Sequence, residues 1–420
     1  MTTTSLASRL SFWAETTSGT GPANAAVWAA QGTSVRHISG SLDPSSLVQS
    51  VIEDQRSQLY ALDDEPIIHG IAGGGEVSFG WDAYAHGAND IPDDGETIAA
   101  NAISTILLNA LGGRDLGTTD LAVTSGDHTT TQVETTDTYA VGQWLGFDDS
   151  SGLVHLRRVT GSSAGGVGQI HTLHRALPFT PQEDSYVRGC IVITIDEDEL
   201  EDSDARTLSW LIERGRLSQR QTWECFGCQT NLTQITLGRN DVPLFSFETL
   251  VSSFTRNTAI PTWANSIEGN AGRAIGPNTR VFYQAYGTTT EQTLQVSGFS
   301  VDPGVRSQPI MTQTEDATGM PGVAGYTIAR NPGRVTFQAV PHANARLTEF
   351  QNSTALHLQF ERLAPAGAAW SIYFPRITHD QDPSYASVND ALAQGIGLRC
   401  HQDGSQSTDL ARSRIQLVMC

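Results

Sequence analysis

The chain contains no lysine: all 25 of its basic residues are arginine, set against 45 acidic residues for a net charge of −20. A nucleotide-cradling Walker loop ends in Gly-Lys-Ser or Gly-Lys-Thr, so that chemistry is excluded. Cysteine is scarce as well. Cys190, Cys225, Cys228, Cys400 and Cys420 are few and odd in number for 420 residues, which argues against a disulfide framework. Cys225 and Cys228 form a CxxC pair, but no second pair completes a zinc site and no thioredoxin-like context surrounds it. An ordinary strand-and-turn role is expected of them. Long apolar runs are missing too. The longest candidate, 99–111, is interrupted by Asn101, Ser104, Thr105 and Asn109 and is too short to span a bilayer. The first residues lack the basic flank and apolar core of a signal peptide, so the expectation is a product made in the cytoplasm and not exported by the usual route.

Glycine is plentiful at 40 residues, and serine and threonine recur in runs. That mixture suits many short strands joined by turns. The length allows one large domain or, as expected here, two.

Charge is unevenly spread. Residues 1–210 hold 29 acidic residues and 9 arginines, a net of −20, and residues 211–420 hold 16 of each. A protein that grips duplex DNA needs a basic face to displace counterions from phosphate. The first half would repel DNA, which still leaves it fit to be a surface past which DNA slides.

The pattern along the chain predicts a mainly β protein. Residues 1–32 read as an irregular arm. Alternation predicts strands at 76–81, 153–159, 169–173 and 189–195, and then at 222–226, 232–237, 244–250, 280–286 and 294–301. Further strands are expected at 335–339, 356–360, 370–374 and 415–419. Helical spacing of Ile98, Ala102, Ile103, Ile106, Leu107 and Ala110, stopped by Gly112-Gly113, predicts one good helix over 97–111. A short helix is expected over 388–395 and a long loop over 259–277. The acidic run 196–204 marks the expected boundary between a first, acidic β-domain (33–205) and a second, charge-neutral one (206–420). Three short matches in the same order suggest that the two are related. Ser39–Pro44 resembles Ser297–Pro303, Glu53-Asp54 corresponds to Glu315-Asp316, and Gly75–Phe79 matches Gly333–Phe337.

Motifs that could carry chemistry fall to plainer readings. Gly161-Ser162-Ser163-Ala164-Gly165 fits G-x-S-x-G, but a second strand follows it where a nucleophile elbow needs a helix. A hairpin loop is the expectation. The clusters Gly73–Gly75 and Gly165–Gly168 open no convincing helix and read as turns. His171 and His174 are three apart in a strand and would face opposite sides, so they make no metal face. Asp63-Asp64, Asp93-Asp94 and Asp148-Asp149 lack the EF-hand pattern and read as exposed turns. The expectation is no enzyme, no cofactor and no metal.

The layout resembles the tail tube proteins of long-tailed bacteriophages. It does so through 19–28 (GTGPANAAVW), the acidic Ile52-Glu53-Asp54 ahead of a glycine-led strand ending at Trp81, and Gly142-Gln143-Trp144-Leu145. Arg158-Val159-Thr160, Ala176–Phe179 with Pro181, 227–247 and 295–302 continue it. The absence of lysine and a length above a single tube domain depart from the simplest members. The resemblance implies a β-barrel or sandwich with a flanking helix, assembling with itself into rings of three or six that stack around a channel. The implied setting is a virion tail assembled in the host cytoplasm, with other tail proteins at the tube ends, genome DNA passing without tight binding, and no membrane. Glu53, Asp54, Asp63, Asp64, Glu76 and Asp82 are the candidate channel-lining residues, since an acidic wall repels phosphate over about 10 Å at moderate salt. The open alternatives are another virion structural protein, such as a tail terminator or capsid component, a β-rich carbohydrate-binding module, and a hydrolase using Ser163.

Overall fold

The computed structural model describes residues 8–420 apart from 17, 36, 39–40, 46, 48–49, 54–67, 73–76, 86–100, 118–120, 125, 127, 137, 184, 197–198, 201–206, 216–220, 238–242, 257–278, 287–290, 316–320, 340–344, 389–390 and 407. The fold is mainly β. A large antiparallel sheet curls back on itself into a half-barrel, and a separate six-stranded sheet is built from residues 121–189.

The large sheet draws on strands from both sides of residue 205. Ser8–Ala14 pairs with Leu208–Arg214, Val77–Tyr84 with Leu244–Val251, and Ile191–Ile195 with Gln416–Met419. Its fold-back encloses one continuous core. Trp81 stacks on Phe247 with ring centroids 4.4 Å apart and meets Trp210 at 5.3 Å, and Phe299 lies 4.0 Å from Phe360 across the enclosed space. Each such ring, once buried, contributes roughly 2–3 kcal/mol of transfer free energy. Other predicted strands merge or lengthen: 222–226 and 232–237 are parts of one 17-residue strand, Gln221–Leu237.

The helix Ala102–Leu111 closes the core from one side with Ile103, Ile106, Leu107, Ala110 and Leu111. Asn101 caps it, its side chain accepting a hydrogen bond from the Ser104 N–H at 2.7 Å. The predicted first turn, 97–100, lies outside the described residues. Gly112 ends the helix at φ +92°, as its spacing predicts. A Cβ there would sit 2.1 Å from the Asp196 carbonyl oxygen. Gly112→Ala is therefore expected to cost about 2 kcal/mol of stability, read as a lowered melting temperature in calorimetry. An unchanged melting temperature would contradict the assignment of this turn.

Two expectations are corrected. The described residues of 8–32 do not form an irregular arm. Ser8–Ala14 is a strand paired along its whole length, with Leu10 and Phe12 buried, and Asn24 caps a helix, Ala25–Gln31, that buries Trp28. Glu15 ties this segment down. Its buried carboxylate accepts hydrogen bonds from the N–H groups of Gly19 and Gly227 and the hydroxyls of Thr207 and Ser209. The expected short helix at 388–395 is instead a hairpin: Ser384–Val388 pairs with Ala391–His401, whose other edge is taken by Arg334–Ala339. Pairing partners on both edges override the weak helical spacing there. The expected loop at 259–277 and the cluster Gly73–Gly75 lie outside the described residues.

Candidate functional site

Six neighbouring strands of the large sheet share one two-sided pattern, carried across bulges at Leu232–Gln234 and Val296–Gly298. In order they are Val77–Tyr84, Leu244–Val251, Gln221–Leu237, Val296–Asp302, Arg334–Ala339 and Ala391–His401. Because side chains alternate along a strand, paired residues point the same way. One face carries Phe79, Trp81, Phe245, Phe247, Ile235, Val301, Phe299, Val335, Phe337, Ile396 and Leu398, all in the core. The other faces solvent. Its middle is small and polar, running from Ser78, Gly80 and Asp82 through Ser246 and Glu248, then Gln234 and Thr236, then Gly298 and Ser300, to Thr336 and Gln338 and finally Gly395, and its ends carry Tyr84, Leu244 and Leu250 on one side and Asp302, Arg334 and Arg399 on the other.

Hydroxyls and amides dominate this face. Gln234 donates to the Ser300 hydroxyl at 2.7 Å, and Ser78 donates to Glu248 at 3.0 Å. Glycines at 298 and 395 remove side chains from its centre and leave a shallow groove of about 360 Å³, lined by Ser297, Ser300, Thr336, Gln338 and Gln381 among others. At one end Asp380 neutralises two arginines, Arg334 at 3.3 Å and Arg399 at 2.7 Å.

Of the six candidate acidic residues, Asp82 lies on this face, half-buried, opposite Ser246. Glu53 ends a strand, Ser50–Glu53, paired with Ile68–Ala72. Asp54, Asp63, Asp64 and Glu76 lie outside the described residues. Glu248 shares the face with Asp82 and was not among the candidates. The signal for it was present, since the alternation Phe245-Ser246-Phe247-Glu248 already placed it opposite the core side.

The other motifs are accounted for locally. Ser163 is exposed within a strand, Val154–Ala164, that turns through Gly165–Gly168 into Gln169–Leu173. Cys225 and Cys228 are fully buried on either side of a bulge at Gly227 (φ +59°), and burial pushes the Cys228 thiol well above its ordinary pKa. His171 meets the Thr135 hydroxyl, and His174 meets Gln359 at 3.0 Å. Asp149 folds its own turn, accepting from the N–H groups of Ser151 and Leu153, and Asp148 pairs with Arg188 at 2.8 Å. Among the described residues, no group of three or more His, Cys, Asp or Glu side chains is placed to hold a metal ion. No helix among them is long and apolar enough to cross a membrane.

A second polar constellation escaped the sequence. Where the six-stranded sheet docks on the large one, Glu361 receives Arg157 at 2.9 Å, Arg175, and the Leu156 N–H at 2.7 Å, all buried. The two guanidinium groups overcome the cost of burial and hold the Glu361 carboxyl at about 2. Arg175 also stacks 3.4 Å over the Phe282 ring. Beside it, His357 stacks on Tyr286 and its Nδ1 meets the Tyr373 hydroxyl at 3.1 Å. This seam is an interlock between two sheets, in which one carboxylate holds two guanidinium groups.

No protein-family model matches the chain, and no curated protein matches it either.

Proposed function

We propose that this chain is a structural, ring-forming subunit whose small polar sheet face lines a channel, as in the tail tube of a long-tailed bacteriophage. One observation carries the reading. Six contiguous strands bury an aromatic-rich face and turn the opposite face to solvent, with hydroxyls, amides and glycine backbone along its middle and its two arginines, Arg334 and Arg399, held by Asp380 at one end. A wall that DNA must slide past needs this kind of surface. It offers phosphate no row of cations from which counterions could be released. The only acidic side chains along its first two strands, among the described residues, are Asp82 and Glu248, and both repel phosphate.

Negative-stain microscopy of the purified chain is expected to show rings or short tubes with a central hole. Persistent monomers at high concentration would refute the reading. In the assembled state, duplex DNA is expected to migrate in a gel as it does alone. Placing three arginines on the face, Ser246→Arg with Ser300→Arg and Thr336→Arg, is expected to retard it in a salt-dependent way without abolishing the rings.

A further inference from the structure

We infer that Cys190 and Cys420 form a redox latch: hydrogen peroxide joins them in a disulfide that staples the strand Gln416–Met419 to the residue through which the chain passes from one sheet into the other.

The placement follows from the strand register. Cys190 lies between Tyr186–Gly189, in the six-stranded sheet, and Ile191–Ile195, in the large one. Ile191 pairs with Met419 and Val192 with Val418, so the next step along this ladder sets Cys190 opposite Cys420. Alternation decides which way the two point. Ile191, Ile193, Leu417 and Met419 face the large core. Val192, Val418, Cys190 and Cys420 all pack into the smaller core at the junction of the sheets, with Trp144 and Leu156. The two thiols therefore leave neighbouring strands on the same face.

Their backbones also stand close. The Cys190 carbonyl accepts from the Gly117 N–H at 3.1 Å, on the side away from Cys420. A Cβ at Gly117 would sit 2.5 Å from the Cys190 nitrogen and 2.6 Å from its oxygen, so both groups face that way. The Cys420 N–H donates to the Ala369 carbonyl, and its carbonyl accepts from the Gly367 N–H, both at 3.0 Å, on the side away from Cys190. This is the non-hydrogen-bonded kind of antiparallel pair, with Cα atoms about 4.5 Å apart. Disulfides span Cα separations of about 4.4–6.8 Å, so the bond forms without moving the strands. Cys420 Sγ already lies 3.8 Å from the carbonyl oxygen of Gly189, the residue before Cys190. Gly146 leaves it that room, since a Cβ there would sit 2.6 Å from the sulfur. The other cysteines are placed differently: Cys400 faces Ile377, and Cys225 and Cys228 belong to one strand.

The chemistry balances with peroxide alone. One thiolate attacks a peroxide oxygen, the O–O bond breaks, and a sulfenic acid and hydroxide result. The second thiolate attacks the sulfenic sulfur, the S–O bond breaks and another hydroxide leaves. The two thiol protons turn both hydroxides into water. Two thiols are oxidised to one disulfide and one peroxide is reduced to two waters. All five cysteines are buried, which favours an oxidant this small. The bond closes a loop of roughly 230 residues and so restricts the unfolded chain strongly. Only its timing rests on the ring-forming reading above: a subunit that assembles in a reducing cytoplasm latches after leaving it.

The test treats the purified full chain with dilute peroxide, then unfolds, alkylates and digests it. Three alkylated cysteines are expected in place of five, with a cross-linked peptide pair carrying Cys190 and Cys420 that dithiothreitol separates. The urea midpoint is expected to rise by about 1 M on oxidation and to return on reduction. Cys420→Ala is expected to abolish the cross-link and the rise, and Cys225→Ala to leave both. Five alkylated cysteines, a bond mapped to Cys225 and Cys228 instead, or Cys420 oxidised beyond the sulfenic acid with no bond would overturn the latch. None of these touches the ring reading, because the bond lies within one chain. A latch that forms in a chain that never assembles would overturn the ring reading alone.

Discussion

Replacing Glu361 with alanine is expected to remove about 3–5 kcal/mol of stability, the range found when one partner of a buried ion pair is deleted. The size follows from what is left behind. Arg157 and Arg175 are buried to 3% and 4% exposure at their side chains, and Glu361 to 1%, so water cannot replace the lost carboxylate. The Leu156 N–H loses its acceptor as well. The seam joins the six-stranded sheet to the large one, so its failure should release residues 121–189 before the main core melts. Urea denaturation followed by tryptophan fluorescence reads both effects, because Trp144 lies at this junction and donates to Gln416 at 2.8 Å. An apolar replacement of all three charges, Arg157→Met with Arg175→Met and Glu361→Leu, should recover most of the loss, since desolvation of the charges opposes the pairing from the start. A loss below about 1 kcal/mol in Glu361→Ala would mean that water reaches the site and that the interlock is not a dry one.

How much of this could be read from the chain alone divides along a physical line. Strands with one wet face were plain. Arg334–Ala339 alternates without a break and Leu244–Val251 does so over Phe245–Glu248, and the structure buries every second residue of both. The helix ending at Gly112 was equally plain. Failures came where a distant partner decides the outcome. Ser8–Ala14 is a strand because Leu208–Arg214 lies beside it, some 200 residues away in sequence. Ala391–His401 is a strand because it is sandwiched between two others. The buried seam is the extreme case. Leu356–Arg362 ends in Glu-Arg, which looks like an ordinary solvated terminus, and nothing near it names Arg157, 204 residues earlier, as the partner. The polar sheet face was half legible. Its alternation was visible, while the adjacency of strands at 77–84, 296–302 and 334–339 was not. Even the resembling segments behave differently once folded. Asp302 pairs with Arg334, whereas Asp43 bridges to Gly80, four positions further along its own glycine-led strand than Arg334 is along the other.

Acidification supplies the second large effect, and it should act on the same seam. His357 is held down to about 4 from an ordinary 6.5, chiefly by burial and secondly by the positive charge of Arg158, against the opposing pull of Asp403. His174 is fully enclosed and lowered well below its ordinary value by burial and by Arg175, Arg157 and Arg158. Both rings are therefore neutral in the folded protein at neutral pH. As pH falls below 6.5 the unfolded chain takes up protons at these positions and the folded chain does not, so stability declines with falling pH. For His357 the decline is complete near pH 4 and amounts to about 3 kcal/mol. His174 adds to it with the same sign. Lower still, Glu361 continues the trend between 4.5 and about 2, because its lowered carboxyl resists protonation that the unfolded chain accepts. Asp115 and Glu224 oppose this, since burial raises both and the folded state binds their protons first. The histidine-driven loss is thus expected between pH 6.5 and 4, with the carboxyl groups superimposed on the lower end of that window. Denaturation midpoints measured across that window should fall steadily for the wild type. In His357→Gln, which keeps a polar group beside Tyr373 and cannot titrate, the slope should flatten by about the share assigned to His357. An equal slope in the variant would place the proton uptake elsewhere and show that the ring between Tyr286 and Tyr373 is open to water.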